Sequence, residues 1–585
     1  MTEHWRQTVL LGRTFFGRLF ESELMPPGLP QVQLVIGGVV ILTTPAMIIP
    51  MVRSSAYAAL ALVPGQLEPS LAADRLILVT FAMITMGFIS LMTWDGVFPD
   101  RRDARILGPL PLATRTLVLA RLGALAYLLG LFVTGTQLLP ALLFEIIAVN
   151  FGSPGGMVRS TAAHVVMTAT ASAFIFFALI ALQCALLLAL RRSAAQRAAV
   201  VVQTVLATLL LLMLFLLPQL ASHADAAISP AAGNGFPLAR LFPPFWFGAV
   251  YQVLGGSGGA DARSLALFAF SATAGTTTLA ILLYAASYAR LTRHAMETPP
   301  GPCGRGGRLS IPRVRERAMR LLCGFRVPGA VCLFTLRTLI RSRQHRMLLA
   351  LYLAVALALV VTSVVPLVLR GDPAALATPS VAIASAPLVL SFFLLLGMRA
   401  LFAIPIEPKA NWCFRLREPA SRRQVVAGVR RAMIVGCVLP LALVAGASAG
   451  VLWGVRIGTA HAVFCALMGT ALTEVLLSNF CKLPFTCTYF PGTARVMMLW
   501  PAYLFALTTY SYTAAELEME ALQWLPEGYL WMCGLLLGAI AALEIARART
   551  LASAAGLVFE ETDPDAMFAG FSLSEADAAN SRPVT

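Results

Sequence analysis

The chain has 585 residues, of which 58% are hydrophobic and only 12% are charged, and its mean hydropathy is +0.79. A soluble protein of this length could not bury so much apolar surface, and repeated apolar runs of about 20 residues predict a polytopic α-helical membrane protein rather than a barrel of alternating polarity. The formal net charge of +16 comes mostly from arginine, which we attribute to the inner loops of a membrane protein rather than to nucleic-acid binding.

The first 31 residues predict a cytosolic amphipathic helix that lies in the membrane interface. Trp5 and Phe16 recur at helical spacing with other apolar side chains, and Arg6 and Arg13 share another face. This stretch lacks a short apolar core followed by a cleavage site, so it does not have the pattern of a signal peptide.

The apolar runs predict twelve membrane spans, six in each half of the chain. In the first half they cover about 33–52, 76–94, 117–140, 164–190, 198–220 and 264–289. In the second half they cover about 347–369, 381–404, 432–453, 459–478, 496–512 and 528–546. Lysine and arginine are about five times more numerous in the segments that this topology places inside, which predicts that both termini are cytosolic.

Two six-helix halves joined by a basic linker are therefore the predicted organisation. The first half covers residues 32–290, a cytosolic linker with a second amphipathic helix covers 291–346, the second half covers 347–549, and an acidic tail covers 550–585. The second amphipathic helix, predicted at 331–346, contains Arg-Thr-Leu-Ile at 337–340, which matches Arg-Thr-Phe-Phe at 13–16. This match favours a tandem repeat.

A charged stretch rich in proline follows the second span of each half. The first inter-span segment, residues 94–121, reads WDGVFPDRRDARILGPLPLATRTLVLAR, and the second, residues 402–430, reads FAIPIEPKANWCFRLREPASRRQVVAGVR. At a common offset, Arg101 aligns with Lys409, Asp103 with Asn411, Pro111 with Pro419 and Arg115 with Arg423. Mixed charge with aromatic residues favours docking of another protein, because lipid binding would favour basic residues alone. A polar turn that only anchors two spans is the alternative.

The sequence offers no set of residues for chemistry within this chain. It has no GxxxxGK[ST], HExxH or GxSxG motif, and its only two lysines are Lys409 and Lys482. The ten cysteines show neither zinc spacing nor a disulfide pattern, and none is paired in a predicted outer loop, as expected for reduced thiols. Six lie in segments predicted to be cytosolic: Cys303, Cys323, Cys332, Cys413, Cys481 and Cys487. We therefore predict no catalytic, cofactor or metal site in this chain.

Charged residues in the predicted spans are few and lie toward the span ends. They are Glu145, Glu474, Glu544, Arg121 and Arg399. A membrane-embedded carboxylate is a functional candidate, but each of these side chains could also reach the interface by snorkelling, and we favour that interpretation.

The two inter-span segments and the topology around them resemble the permease subunits of ABC exporters of the ABC-2 type. The residues that carry the resemblance are FPDRRDARILGPLPLATRTLVLAR in the first half and EPKANWCFRLREPASRRQVVAGVRR in the second. The short outer loop predicted at 513–527 departs from the family pattern. The resemblance implies a pseudo-dimer of two fused six-helix halves in a bacterial inner membrane, with a translocation path between them.

The resemblance also implies that separate P-loop ATPase subunits, two copies, dock on the inter-span segments and bind ATP-Mg. The residues expected to couple to them are Asp95, Phe98, Pro99, Asp100, Arg101, Arg102, Asp103, Glu407, Lys409, Asn411 and Trp412. This chain would then be a transport subunit rather than an enzyme, with membrane lipid and an unidentified substrate as its other partners. A twelve-span secondary carrier, or a membrane scaffold or embedded enzyme that transports nothing, are the alternatives.

Overall fold

The computed structural model of the protein describes residues 3–19, 31–94, 96–98, 106–107, 110, 112–150, 156–222, 242–297, 323–324, 326–369, 377–404, 422–478, 480, 483–486, 496–524 and 526–553. All regular secondary structure in these ranges is helical, which confirms the predicted all-α fold class. The chain divides into two compact units, Met1–Gly306 and Gly307–Thr585.

Within the described ranges, eleven helices are long and apolar enough to cross a membrane, six in the first unit and five in the second. This agrees with the prediction of a multi-pass membrane protein, because a helix satisfies its backbone polar groups internally where water is excluded. The predicted span 496–512 is not among the eleven. It lies on a helix of 12 residues that continues through a π-helical turn.

The first unit contains eight helices in its described part. They are α1 (Glu3–Leu19), α2 (Gln31–Ala61), α3 (Leu67–Met92), α4 (Thr114–Asn150), α5 (Met157–Ala189), α6 (Arg192–Ser222), α7 (Pro243–Gly255) and α8 (Ala260–Glu297). The two ends of this unit are named as follows. The end at which residues 94–121 begin is the segment end, and the opposite end is the far end. Helix α1 packs on α4, and its Phe15 and Leu19 enter the core of the segment end.

The second unit contains nine helices in its described part. They are α9 (Arg326–Arg341), α10 (Arg343–Leu369), α11 (Val381–Leu401), α12 (Arg422–Met433), α13 (Leu439–Trp453), α14 (Val455–Leu477), α15 (Val496–Leu507), α16 (Ala514–Gln523) and α17 (Glu527–Ser553). A π-helical turn, Ile434–Val438, joins α12 to α13 just before Pro440, which has no backbone N–H to donate. The segment end of this unit is where 402–430 begins.

Two helices differ from the sequence-based prediction in ways that affect the site. Helix α4 continues ten residues past the predicted end of its span at 140, so Glu145 is a helical residue. The second amphipathic helix was predicted at 331–346, but α9 ends at Arg341 and α10 begins at Arg343. His345 therefore belongs to the first turn of a membrane-spanning helix.

Glycine allows α13 and α14 to approach closely. A Cβ at Gly446 would lie 2.6 Å from the Cβ of Ala462, and a Cβ at Gly458 would lie 2.5 Å from the Cα of Gly450. The two helices are joined at Gly454, whose φ of 94° lies in the left-handed region that favours glycine. Small residues are typical of such contacts because helix association in lipid depends on close packing.

We predict that Gly446→Ala lowers the thermal stability of the detergent-solubilised protein, because its methyl group meets helix α14 and neither helix can yield by a side-chain rotation. Overpacking of this kind costs about 1–3 kcal/mol. Gly450→Ala is the matched control on the same helix, since a Cβ at Gly450 has nothing within 4 Å. Alanine favours a helix over glycine by about 1 kcal/mol, so this control should keep or raise the melting temperature. Equal melting temperatures for the two variants would contradict the close contact.

Candidate functional site

The backbone at the start of the first inter-span segment is held by side chains from three other helices. The Trp94 carbonyl accepts a hydrogen bond from Gln183 Nε2 at 2.6 Å. The Val97 carbonyl accepts one from the Tyr284 hydroxyl at 2.8 Å and one from Arg121 Nη1 at 3.4 Å. Because Gln183, Tyr284 and Arg121 lie on α5, α8 and α4, these bonds tie the segment to three helices besides α3.

Aromatic contacts reinforce this anchor. The Phe98 ring stacks on Tyr284 with centroids 5.4 Å apart and an interplanar angle of 22°. Arg121 is buried and its guanidinium lies 4.4 Å from the ring centroid of Phe15 on α1. Arg121 therefore does not snorkel to the interface. Phe98 is half-buried against the core, so this residue anchors the segment to its own unit.

Phe98 is the one predicted coupling residue that falls within the described ranges. The other ten lie outside them: Asp95, Pro99, Asp100, Arg101, Arg102, Asp103, Glu407, Lys409, Asn411 and Trp412. Their role in coupling stays a prediction.

The second inter-span segment begins at an anchor of a similar kind. The Phe402 carbonyl accepts a hydrogen bond from the Phe485 N–H at 2.9 Å, and the Ile404 carbonyl lies 3.2 Å from His345 Nε2. Phe402 is fully buried, and its ring packs on those of Phe480 and Phe485. Phe485 has a φ of 66°, a backbone conformation that costs a non-glycine residue conformational free energy. Its hydrogen bond to Phe402 helps to offset that free energy.

A buried carboxylate lies near this second anchor. The Glu474 side chain is fully buried between two arginines: Arg547 Nη1 lies 2.5 Å from Oε2, and Arg430 forms an ion pair with Oε1. Arg430, the last residue of the second inter-span segment, also lies 3.4 Å from the half-exposed Glu544. The interpretation that Glu474 snorkels is wrong, because its carboxylate is neutralised inside the bundle.

A second buried carboxylate, Glu145, lies at the far end of the first unit. It accepts hydrogen bonds from Arg75 at 3.2 and 3.3 Å and from the Tyr251 hydroxyl at 3.1 Å, and His164 Nδ1 lies 2.9 Å away. Helix α7 brings Tyr251 to this site, and burial raises the pKa of the Tyr251 phenol. Glu145 has no exposed surface, so the snorkelling interpretation is wrong here too.

An adjacent ion pair completes this far-end cluster. Asp74 is 1% exposed, and its Oδ2 lies 2.6 Å from Arg53 Nε and accepts a hydrogen bond of 2.5 Å from the Tyr57 hydroxyl. Asp74 and Arg75 are neighbours on α3, so this helix holds partners on both α2 and α4. The cluster therefore ties α2, α3, α4, α5 and α7 together at one end of the unit.

The far end of the second unit holds a carboxylate with a different environment. Glu518 on α16 is fully buried, and His461 Nδ1 on α14 lies 2.9 Å from Oε1 and 3.0 Å from Oε2. In the described part of this unit no arginine or lysine lies within ion-pair distance of Glu518. Burial raises the pKa of the Glu518 carboxyl, and the contact with His461 opposes that rise. Cys465, Tyr529 and Cys533 are the other titratable groups around the pair.

Neither far-end site could be predicted from the sequence. Glu145 lies 70 residues from Arg75 and 106 from Tyr251, and His461 lies 57 from Glu518, so no local spacing indicates these contacts. The only local signal is the presence of ionisable residues near the ends of apolar runs.

Neither far-end site has the ligands for a metal ion, since no group of three or more His, Cys, Asp or Glu side chains converges within the described residues. No family model, curated protein or solved structure matches the chain. Function must therefore be argued from the residues and their geometry.

We predict that Glu145→Gln strongly destabilises the first unit, because it removes the buried, nearer counter-charge of the Arg75 guanidinium and leaves only the half-exposed Glu68. Breaking a buried ion pair in this way costs about 3–5 kcal/mol. Glu68→Gln is the control: its half-exposed carboxylate lies 3.8 Å from the same arginine, and its loss should cost less than about 1 kcal/mol. Tryptophan fluorescence during thermal unfolding in detergent would measure both, and similar losses would contradict the network.

We also predict that Glu518 makes the stability of the protein dependent on pH. Its pKa is higher in the folded chain than in the unfolded chain, so the contribution of Glu518 is favourable at low pH and is lost as pH rises through the folded pKa. Glu518→Gln should therefore reduce the fall in melting temperature as pH rises above about 5. The exposed Glu516→Gln, on the same helix, should leave the pH profile unchanged. A Glu518→Gln profile that matches the wild type would contradict the shifted pKa.

Proposed function

We propose that this chain is the membrane-spanning permease subunit of an ATP-driven exporter of the ABC-2 type. In the proposal, separate P-loop ATPase subunits, two copies, bind ATP-Mg and dock on the two inter-span segments at the cytosolic face of a bacterial inner membrane. Both termini of the chain are placed on that cytosolic side, and the transported substrate is unidentified. The single observation that carries the proposal is that the backbone at the start of each inter-span segment is hydrogen-bonded to other parts of its own unit. The partners are three helices in the first unit, and helix α10 with the stretch 483–486 in the second.

Such anchors suit the transmission of a mechanical signal. A flexible loop would absorb a displacement, because its backbone would move without the helices. Here the Trp94 and Val97 carbonyls are bonded to α5, α8 and α4. The Phe402 carbonyl is bonded to Phe485, in the stretch 483–486, and the Ile404 carbonyl contacts His345 on α10. A partner that moves either segment would therefore move those helices. For ATP to drive the motion, the partner must bind the two states of the segments with different free energies.

We further propose that the two units arose by duplication and form a pseudo-dimer of two six-helix halves. Both units have an amphipathic helix before the first long helix, an anchored segment after the second, and a His–Glu contact at the far end involving the fourth. The histidines occupy similar places near the start of α5 and α14. The carboxylates come from different helices, α4 and α16, so any duplication was followed by divergence at this site.

A second candidate function is a proton-coupled secondary carrier. The contact between His461 and Glu518 favours it, because within the described residues this buried pair has no arginine like those that pair with Glu145 and Glu474. Proton relays in transporters use carboxylate and histidine side chains of this kind. The ABC exporter is preferred because the carrier gives no role to the two charged segments. Transport that needs a pH gradient but no nucleotide would support the carrier instead.

We predict that reversing the charges at Arg101 and Lys409 uncouples the chain from its ATPase. The tagged chain, purified from membranes of its native host, should carry vanadate-sensitive ATP hydrolysis and a protein with a P-loop motif. Arg101→Glu with Lys409→Glu should lower the co-purified activity at least about tenfold, which corresponds to a loss of about 1.4 kcal/mol of binding free energy.

The matched control reverses two exposed charges at the far ends, Arg263→Glu with Arg456→Glu. This variant has the same change in net charge and should keep the co-purified ATPase activity. Wild-type preparations with no ATP hydrolysis, or transport by the chain alone in liposomes, would overturn the proposed function. Equal losses in the two double variants would mean that charge, rather than the inter-span segments, governs the association.

A further inference from the structure

Two cysteine thiols meet at the segment end of the second unit. The Sγ atoms of Cys323 and Cys332 lie 2.8 Å apart, and both residues are fully buried. Apolar side chains enclose them, with Leu336 and Ala432 as the buried neighbours. Both cysteines lie in the predicted linker, but the sequence does not relate them, because a spacing of eight intervening residues matches no metal or redox motif.

The backbone between the two thiols is shaped to hold them together. Gly324 has a φ of 78° and Arg326 a φ of 70°, so the chain turns sharply between Cys323 and α9. A Cβ at Gly329 would lie 1.9 Å from the Gly324 carbonyl oxygen, which shows how closely the turn and the helix approach. Arg431 on α12 donates a hydrogen bond of 3.3 Å to the Cys323 carbonyl and fixes the turn from the other side.

We propose that Cys323 and Cys332 are an oxidation site at which the dithiol converts reversibly to an intramolecular disulfide. A disulfide has sulfurs about 2.05 Å apart, so the two Sγ atoms need to approach by less than about 1 Å. Such a small shift is within the reach of side-chain rotation. The other described cysteines have no sulfur contact of this kind.

The oxidant is a peroxide such as hydrogen peroxide, which is small enough to enter a packed protein during local structural fluctuations. One thiolate attacks an oxygen of the peroxide, the O–O bond breaks, and a sulfenic acid and one water form once protons are taken up. The second thiolate then attacks the sulfenic sulfur, the S–S bond forms, and a second water leaves. Two thiols are oxidised and one peroxide is reduced, and a thiol reductant reverses the change by exchange.

Burial sets the speed of this reaction. Burial raises the pKa of the Cys332 thiol, and the adjacent Cys323 raises it further, so little thiolate is present at neutral pH. The guanidinium of Arg431 opposes this rise. Oxidation is therefore slow near neutral pH and faster in alkaline solution, which suits a response to sustained rather than brief oxidant exposure.

The disulfide would act on the contact between α9 and α12. These helices pack closely, since a Cβ at Gly428 would lie 2.6 Å from the Pro328 carbonyl oxygen and 2.6 Å from Cβ of Val331. Helix α12 begins within the second inter-span segment. A covalent link from the turn to α9 would hold the turn, Arg431 and α12 in one arrangement. This inference is independent of the proposed function, because the chemistry and the local constraint need no partner.

The test measures thiol pairing in the full-length protein. The reduced chain in detergent is exposed to hydrogen peroxide at about pH 7 and about pH 9, quenched with acid, and alkylated in denaturant before digestion and mass spectrometry. We expect a peptide pair joining Cys323 to Cys332, lighter than the dithiol by two hydrogens. It should form faster at the higher pH and should disappear after treatment with dithiothreitol.

Variants establish which thiols are required. Cys332→Ser should abolish the linked peptide, whereas Cys437→Ser, which removes a lone buried thiol, should leave it intact. Recovery of Cys323 and Cys332 as alkylated thiols after oxidation of other cysteines would overturn the proposal. So would a disulfide from either residue to Cys303, or separate oxidation of the two to sulfinic acids. The wild-type measurement decides the matter even if Cys332→Ser fails to fold.

Discussion

Charge and polar backbone buried in an apolar bundle must find partners within the bundle, and the architecture of both units depends on this constraint. Burying an isolated ion in such surroundings costs several kcal/mol or more, so each carboxylate requires a cation or a donor. Glu145 faces Arg75, and Glu474 faces Arg430 and Arg547. Because the partners lie on different helices, neutralising each charge also fixes which helices are neighbours.

The same constraint explains how the inter-span segments begin. A helix ends with carbonyl groups that lack a partner in the next turn. Just past the end of α3, the carbonyls of Trp94 and Val97 are likewise satisfied by side chains, from Gln183, Arg121 and Tyr284. At the end of α11 the Phe485 N–H and the ring of His345 serve the carbonyls that follow. Satisfying the backbone thus anchors the start of each segment, which suits the coupling role proposed for these segments.

The two far ends show how one type of contact supports different properties. His164 and His461 each contact a buried carboxylate at 2.9 Å. Glu145 also has Arg75 and Tyr251 as donors, so its negative charge is compensated and it ties helices together. Glu518 has only its histidine within the described residues, and burial raises the pKa of its carboxyl. The first site is suited to stabilising the fold. The second is the site at which a change of protonation would change the net charge of the pair.

The sequence by itself determined the helical class, the multi-pass architecture and the location of all eleven long helices, because apolar run length is a local property matched to bilayer thickness. The helix ends differ from the predicted ones by as much as ten residues. It also identified Glu145 and Glu474 as ionisable residues at the ends of spans. Their burial, their partners, the inward position of Phe98 and the meeting of Cys323 with Cys332 were decided by tertiary structure alone. The physical reason is that each depends on which helices pack together and how they are rotated, and contacts between residues as far apart as 187 positions leave no periodic trace in the sequence.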